Sequence, residues 1–282
     1  MGDEGWVPSP FPIPHFRFTI THHPSPITQM PFGAIIIGDE IMSGKRQDKH
    51  MAKVIETLAA RGLGLAWARY LADEPDLITF TLKQTLATDD VVFSFGGIGA
   101  TPDDHTRQCA ADAAGVALQL HPDAEREIRA RFVDDPKGVT PQRLAMGEFP
   151  VGSRIIPNPY NRIPGFSVRH HHFLPGFPEM AWPMMAWVLD HLYADRHRAA
   201  GSVAERSIVV REAGESQLID LMKACQARFP GIKVFCLPRV QPERLIELGV
   251  RGEAEAVPAA IGELQTGVSA LGFPWTEGPA PA

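Results

Sequence analysis

Cysteine is scarce: the 282 residues contain only Cys109, Cys225 and Cys236, an odd number, far apart, with no C-x-x-C pair. This excludes a disulfide scaffold or a zinc knuckle and fits a reducing, cytoplasmic setting. Long apolar runs are missing too. The longest, Ala181 to Leu189, is interrupted by Pro183 and falls far below the roughly 20 residues that cross a bilayer, so no membrane partner is expected. The opening residues Met1-Gly2-Asp3-Glu4 have neither the basic n-region nor the apolar h-region of a secretory signal. Basic charge is not in excess either. Lys and Arg number 27 against 33 Asp and Glu, a net −6, and no local basic patch overrides the repulsion of a polyanion. Nucleic acid is therefore not an expected partner.

Against these absences stands an ordinary globular composition, 44% hydrophobic and 21% charged, in a chain long enough that one large unit plus a smaller one is expected. The departure is 26 Pro and 25 Gly, above the roughly 12% of an average chain and below the about 25–30% of low-complexity sequence. Seven of those prolines (Pro8, Pro10, Pro12, Pro14, Pro24, Pro26, Pro31) lie in residues 1–31. Closely spaced proline fixes φ and favours polyproline II, so this stretch reads as an extended, loosely packed arm. The expected divisions are the arm at 1–31, an α/β domain over 32–200, a small α/β domain over 201–275 and a flexible tail at 276–282.

From Gly33 the pattern changes. Ala34 to Ile37 is an all-apolar run of the kind buried on both faces of a parallel sheet. Met51, Val54, Ile55 and Leu58 then form one apolar helical stripe, closed by Gly62 and Gly64. Strand 65–71, a helix with Pro75 in its first turn, strand 91–95 and a helix over 106–114 continue a βαβαβα alternation. That spacing implies right-handed crossovers and a doubly wound, mostly parallel sheet between helical layers. Further on, helices are expected near 123–132, 141–146 and 178–193, with one strand over 167–174. A βαββα unit should follow 202.

The stretch Phe95-Gly96-Gly97-Ile98-Gly99-Ala100-Thr101-Pro102-Asp103-Asp104-His105-Thr106 carries the clearest chemistry. Three glycines at a parallel strand's carboxyl end, just before a helix, make a turn whose amides can approach a phosphate. Asp103 and Asp104 beside it would repel such a ligand unless a divalent cation bridged carboxylate and phosphate. The alternatives are that the glycines only turn the chain and that Asp104 only caps the helix.

GGIGATPDDHT resembles the signature of the CinA-like branch of the MoaB/Mog (molybdopterin-binding) domain family. The resemblance extends to Gly38-Asp39-Glu40-Ile41-Met42-Ser43-Gly44, to Asp73 after the second strand, to Asn158-Pro159 with Pro164-Gly165-Phe166, to Leu174-Pro175-Gly176-Phe177-Pro178-Glu179-Met180, and to Gly214-Glu215-Ser216. It covers roughly 33–273 and leads to the expectation of a chain without the C-terminal nicotinamide-nucleotide amidohydrolase domain of full-length CinA proteins. It implies a three-layer α/β/α MoaB/Mog-like domain followed by a small α/β domain, a small-molecule nucleotide or pterin ligand, and self-association into a homo-oligomer.

For activity the resemblance implies divalent-metal-dependent (Mg²⁺, Mn²⁺ or Co²⁺) hydrolysis of a nucleotide pyrophosphate such as ADP-ribose. The alternatives are molybdopterin binding or adenylyl transfer in molybdenum cofactor synthesis, or a non-catalytic nucleotide- or pterin-binding module. The double Asp favours the hydrolase, since the adenylyltransferases usually have Arg-Asp there. The implied roles are phosphate binding by Gly96, Gly97, Gly99, Thr101, Thr106, Ser43, Pro175 and Gly176. Asp73, Asp104 and Asp103 would be catalytic, and Glu40, Asp73, Asp104 and Glu179 would hold the metal.

Two departures stand out: Asp48-Lys49-His50 replaces a frequent N-T-N, and Gln108 replaces a common acidic residue. Lys45 and Arg46 are available to pair with phosphate. His170-His171-His172 is expected on an exposed strand, where only His170 and His172 share a face, and Cys109 and Cys225 are expected as core thiols.

Overall fold

Every residue of β1 (Phe32–Ile37) is buried, as expected of a central parallel strand whose two faces are both covered. The computed structural model describes residues 30–198, 202–239 and 245–279. The proline-rich arm over 1–29 and the end of the expected tail, 280–282, lie outside them. After β1 come the short α1 (Asp39–Met42), α2 (His50–Ala59), β2 (Leu65–Leu71), α3 (Pro75–Leu86), β3 (Val91–Phe95) and α4 (Thr106–Ala114). A two-stranded excursion pairs β4 (Leu118–Leu120) with β5 (Glu148–Pro150) around α5 (Pro122–Arg131) and α6 (Pro141–Ala145). The chain then forms β6 (Arg154–Ile156), β7 (Gly165–Val168), β8 (His171–Leu174) and α7 (Pro178–Leu192).

The main sheet has the order β2-β1-β3-β8-β7-β6. Its first four strands are parallel, whereas β7 and β6 continue it antiparallel. Side chains alternate across a strand. Ile35 and Ile37 pack with Ile78, Leu82 and Leu86 of α3 and with Cys109 and Ala110 of α4. The opposite face is covered by α2 and α7, which also touch each other. Phe149, Phe166 and Phe173 stack in series at 4.6 and 4.5 Å between centroids and seal the side toward β5.

After 202 a second sheet follows: β9 (Val203–Arg211), α8 (Glu215–Arg228), β10 (Lys233–Arg239), β11 (Leu245–Glu253), α9 (Val257–Ala270) and β12 (Trp275–Glu277). It is antiparallel throughout, in the order β10-β11-β9-β12. Its own core joins Ile208, Val210, Ile246, Leu248 and Val250 to Leu218, Cys225, Ile261 and Leu264. The start of the expected tail, residues 276 and 277, belongs to β12, where Trp275 anchors the strand by donating its indole N–H to Ser269 Oγ.

One expected strand is in fact two. The segment 167–174 turns at Arg169, a non-glycine residue at φ 51°, and Arg169 is held there by donating to the Leu86 carbonyl at 3.1 Å. His171 and His172 consequently lie inside, at 1% and 0% exposure, instead of on an exposed strand. Their partners come from other elements. His171 Nε2 meets Thr85 Oγ1 at 2.8 Å, while His172 meets Ser167 Oγ and the Tyr193 hydroxyl, each at 2.8 Å. Such pairing is what allows polar rings in a core.

Candidate functional site at the strand ends

A parallel sheet leaves its carboxyl strand ends open for ligands, and here the loops after β1, β2, β3 and β8 meet at that edge. The loop after β1 is tied to the loop after β2 by a reciprocal exchange. The Asp39 amide donates to Asp73 Oδ2 at 2.8 Å and the Asp73 amide donates to Asp39 Oδ1 at 3.1 Å. The Gly38 amide adds a bond to the Leu71 carbonyl at 3.0 Å. Asp39, Glu40 and Asp103 all repel a negative charge on Asp73. Burial comes first and these three carboxylates follow in raising its carboxyl above the ordinary range, partly opposed by the Asp39 amide.

The glycine turn after β3 is pinned from below. Thr106, fully buried, donates its hydroxyl to the Gly96 carbonyl at 3.0 Å and its amide to the Gly97 carbonyl at 2.9 Å. Arg107, 3% exposed, donates to the Gly99 carbonyl at 2.8 Å and also reaches the Ala145 carbonyl. Asp104 accepts from both the amide and the hydroxyl of Thr101. The Gly96 amide is spent on the Leu174 carbonyl at 3.0 Å. Among the described residues, the amides of Gly97, Ile98, Gly99 and Ala100 have no such acceptor and form the open part of the turn.

Gly97 is needed for two reasons: its φ is +68°, and a Cβ there would sit 2.2 Å from Thr106 Oγ1. Gly97→Ala is expected to cost about 2 kcal/mol from the left-handed backbone and the overlap together. Gly44→Ala, at φ +72° with open space around it, should cost only about 1 kcal/mol. Urea midpoints of the two variants check the difference.

The site residues expected from sequence therefore divide. Asp73, Glu40 and Asp103 come together electrostatically, and Gly97 and Gly99 lie in the same loop as Asp103. Pro175 and Gly176 stand opposite, with a Gly176 Cβ placed 3.5 Å from the Gly96 Cα. Ser43 is exposed at the end of α1. Thr101 and Thr106 are not free to bind phosphate, because their hydroxyls are committed within the turn. Asp104 holds that turn and is not directed at Asp73. Glu179 lines a separate groove of about 560 Å³ between α2 and α7, with Lys49, Lys53 and Trp182.

The expected metal set of Glu40, Asp73, Asp104 and Glu179 is thus not assembled, and among the described residues no group of three or more His, Cys, Asp or Glu is arranged to hold a metal. Sequence reasoning missed Asp39, whose partner is 34 residues away, and Arg107, whose carbonyl acceptors only the fold brings together. Cys109 and Cys225 are buried, and burial raises both thiols, in keeping with core roles.

The fold defines a doubly wound α/β protein with a glycine turn at its strand ends whose amides lack backbone acceptors. Residues 33–194 match the family described as probable molybdopterin binding domain, and the chain belongs to that family. Its relatives are CinA-like. One from Anaeromyxobacter sp. (strain K) is 33% identical over 162 residues, 56% of this chain and 40% of that protein. The chain thus spans less than half the length of that relative. A protein of Thermoplasma acidophilum is 29% identical over 231 residues, covering 79% of this chain and 88% of that one. Among solved structures, the protein CinA with unknown function from Thermoplasma acidophilum aligns at a TM-score of 0.51 and 29% identity, over 57% of this chain and 97% of that chain. No helix among the described residues is long and apolar enough to cross a membrane.

Proposed function

We propose that the strand-end crevice binds a nucleotide pyrophosphate of the ADP-ribose type and hydrolyses its phosphoanhydride with a divalent cation. The observation that carries this reading is the crowding of Asp39, Glu40 and Asp103 around Asp73, with Asp103 carried by the same loop as the unpaired turn amides. Amides favour an anion, whereas the carboxylates oppose one. A cation satisfies both, and the like-charge repulsion at Asp73 is what its binding would relieve. Magnesium-like ions commonly use one or two carboxylates plus substrate phosphates, so a preformed cage of three ligands is not required.

In this reading Asp73 and Asp39, already locked by their exchanged amides, would hold the cation, which would supply charge neutralisation for the phosphate. The amides of Gly97 and Gly99 would orient the phosphates, with the exposed Lys45 and Arg46 available to pair with them. The Asp103 carboxylate, ionised at neutral pH, would orient the attacking water. The water oxygen bonds to phosphorus, the bridging P–O bond breaks, and the water proton leaves through the carboxylate to solvent. AMP and ribose 5-phosphate result.

A binding module for a nucleotide or pterin is the second reading, favoured by Asp104 being engaged by Thr101 and Glu179 lining the α2–α7 groove instead of the crevice. A panel of ADP-ribose, FAD, NAD, and ATP with pterin, each with Mg²⁺, Mn²⁺ or Co²⁺, separates these. AMP release from ADP-ribose is expected. Binding without release supports the module, and AMP transfer onto pterin supports an adenylyltransferase.

A further inference from the structure

His50 stands where the resemblance would place Asn, and its surroundings are specific. The ring is 6% exposed and stacks on Phe95, the last residue of β3, at 4.5 Å and 22°. Its Nε2 lies 3.1 Å from the Gly176 carbonyl. A carbonyl only accepts, so Nε2 carries the hydrogen, and Nδ1, which has no partner, is left as a lone pair on a neutral ring. Asp48 fixes the backbone beneath the ring by accepting the His50 and Met51 amides at 2.8 and 3.1 Å, and the Tyr70 hydroxyl braces Asp48 at 2.7 Å. The ring thus bridges the end of β3 and the Pro175–Gly176 loop, the two walls that approach each other at Gly96 and Gly176.

We propose that His50 is a positioning residue that sets the width of the strand-end crevice by anchoring the Gly176 carbonyl against the glycine turn. It acts through the loop and does not touch the reacting atoms. The inference rests on the crevice being the ligand site, and its test is built so that the two can fail separately.

The test compares the wild type with His50→Phe, His50→Leu and His50→Gln. Phe keeps the stacking and Leu is the smaller substitute should Phe not fold; both lose the donor, while Gln can present one to the same carbonyl. The measurements are amide hydrogen exchange at Gly96, whose N–H is bonded to the Leu174 carbonyl, and KM and kcat for ADP-ribose with Mn²⁺. Loss of the anchor should speed exchange at Gly96 and raise KM, each about tenfold, with kcat little changed, the scale of one lost buried hydrogen bond. Gln should restore both to within about threefold. Unchanged exchange and KM in the Phe and Leu variants, or no rescue by Gln, would overturn the proposal. If the wild type does not turn over ADP-ribose, the functional reading falls, and the exchange data alone still decide whether His50 anchors the loop.

Discussion

Replacing Asp73 by Asn is expected to lower metal-dependent release of AMP from ADP-ribose by about 10²–10³-fold, the range associated with removing one preorganised electrostatic group. Asn retains an oxygen that can accept the Asp39 amide, so the reciprocal link between the two loops survives and the loss reports charge. Stability should move the other way. The Asp73 carboxyl is raised by burial and by its acidic neighbours, so its relative stabilising contribution is full below the unfolded value of 3.8 and is lost as pH rises through the folded one. At pH 7 the ionised group is therefore a burden on the fold, and the Asn variant should unfold at higher urea than the wild type. Asp104→Asn, by contrast, should act on the Thr101 turn and cost less turnover. Initial rates with saturating Mn²⁺ and urea midpoints at pH 7 check all three statements, and full activity in the Asp73 variant would remove the carboxylate from the mechanism.

Acidification from pH 7.5 to pH 5 is expected to cost the protein about 4 kcal/mol of stability, a large share of the roughly 5–15 kcal/mol typical of a folded domain. Burial pushes both His171 and His172 down to about 3, well below their unfolded value of 6.5. For a depressed histidine the unfolded chain binds the extra proton first, so stability is full above 6.5 and falls as pH drops below it. Each ring accounts for about 2 kcal/mol over this interval. Urea titrations at pH 7.5, 6 and 5 should show the midpoint falling with the steepest loss below 6.5. In a His171→Asn, His172→Asn double variant most of that slope should disappear, although the variant starts less stable. A wild-type midpoint that stays flat down to pH 5 would contradict the burial of these rings.

These histidines also mark where the sequence stops being informative. The all-apolar β1, the glycine-terminated β3 and the helix over 106–114 depend on local pattern, and the structure has them within two residues of expectation. Whether His172 is inside or outside depends on Ser167 across a hairpin and on Tyr193, 21 residues on. The hairpin itself turns on Arg169, which carries no glycine or asparagine signal. The same distinction applies at the crevice. The glycine turn could be read from spacing, because a phosphate-binding turn needs small residues in a row. The commitments of Thr101, Thr106 and Asp104 within that turn could not, since they follow from where the chain folds back on itself. Nothing in the sequence separates Asp39, the first residue of α1, from its neighbour Glu40, and only its exchange with Asp73 distinguishes it.

Arg107 has a consequence for how salt acts on the protein. Its guanidinium is buried beneath the glycine turn and is solvated by the carbonyls of Gly99 and Ala145; no carboxylate neutralises it by direct contact. Mobile ions screen exposed charges over about 10 Å at 0.1 M but reach a buried one poorly. A chain with a net charge of −6 thus keeps a positive charge under the glycine turn that added salt screens far less than it screens the exposed Lys45 and Arg46.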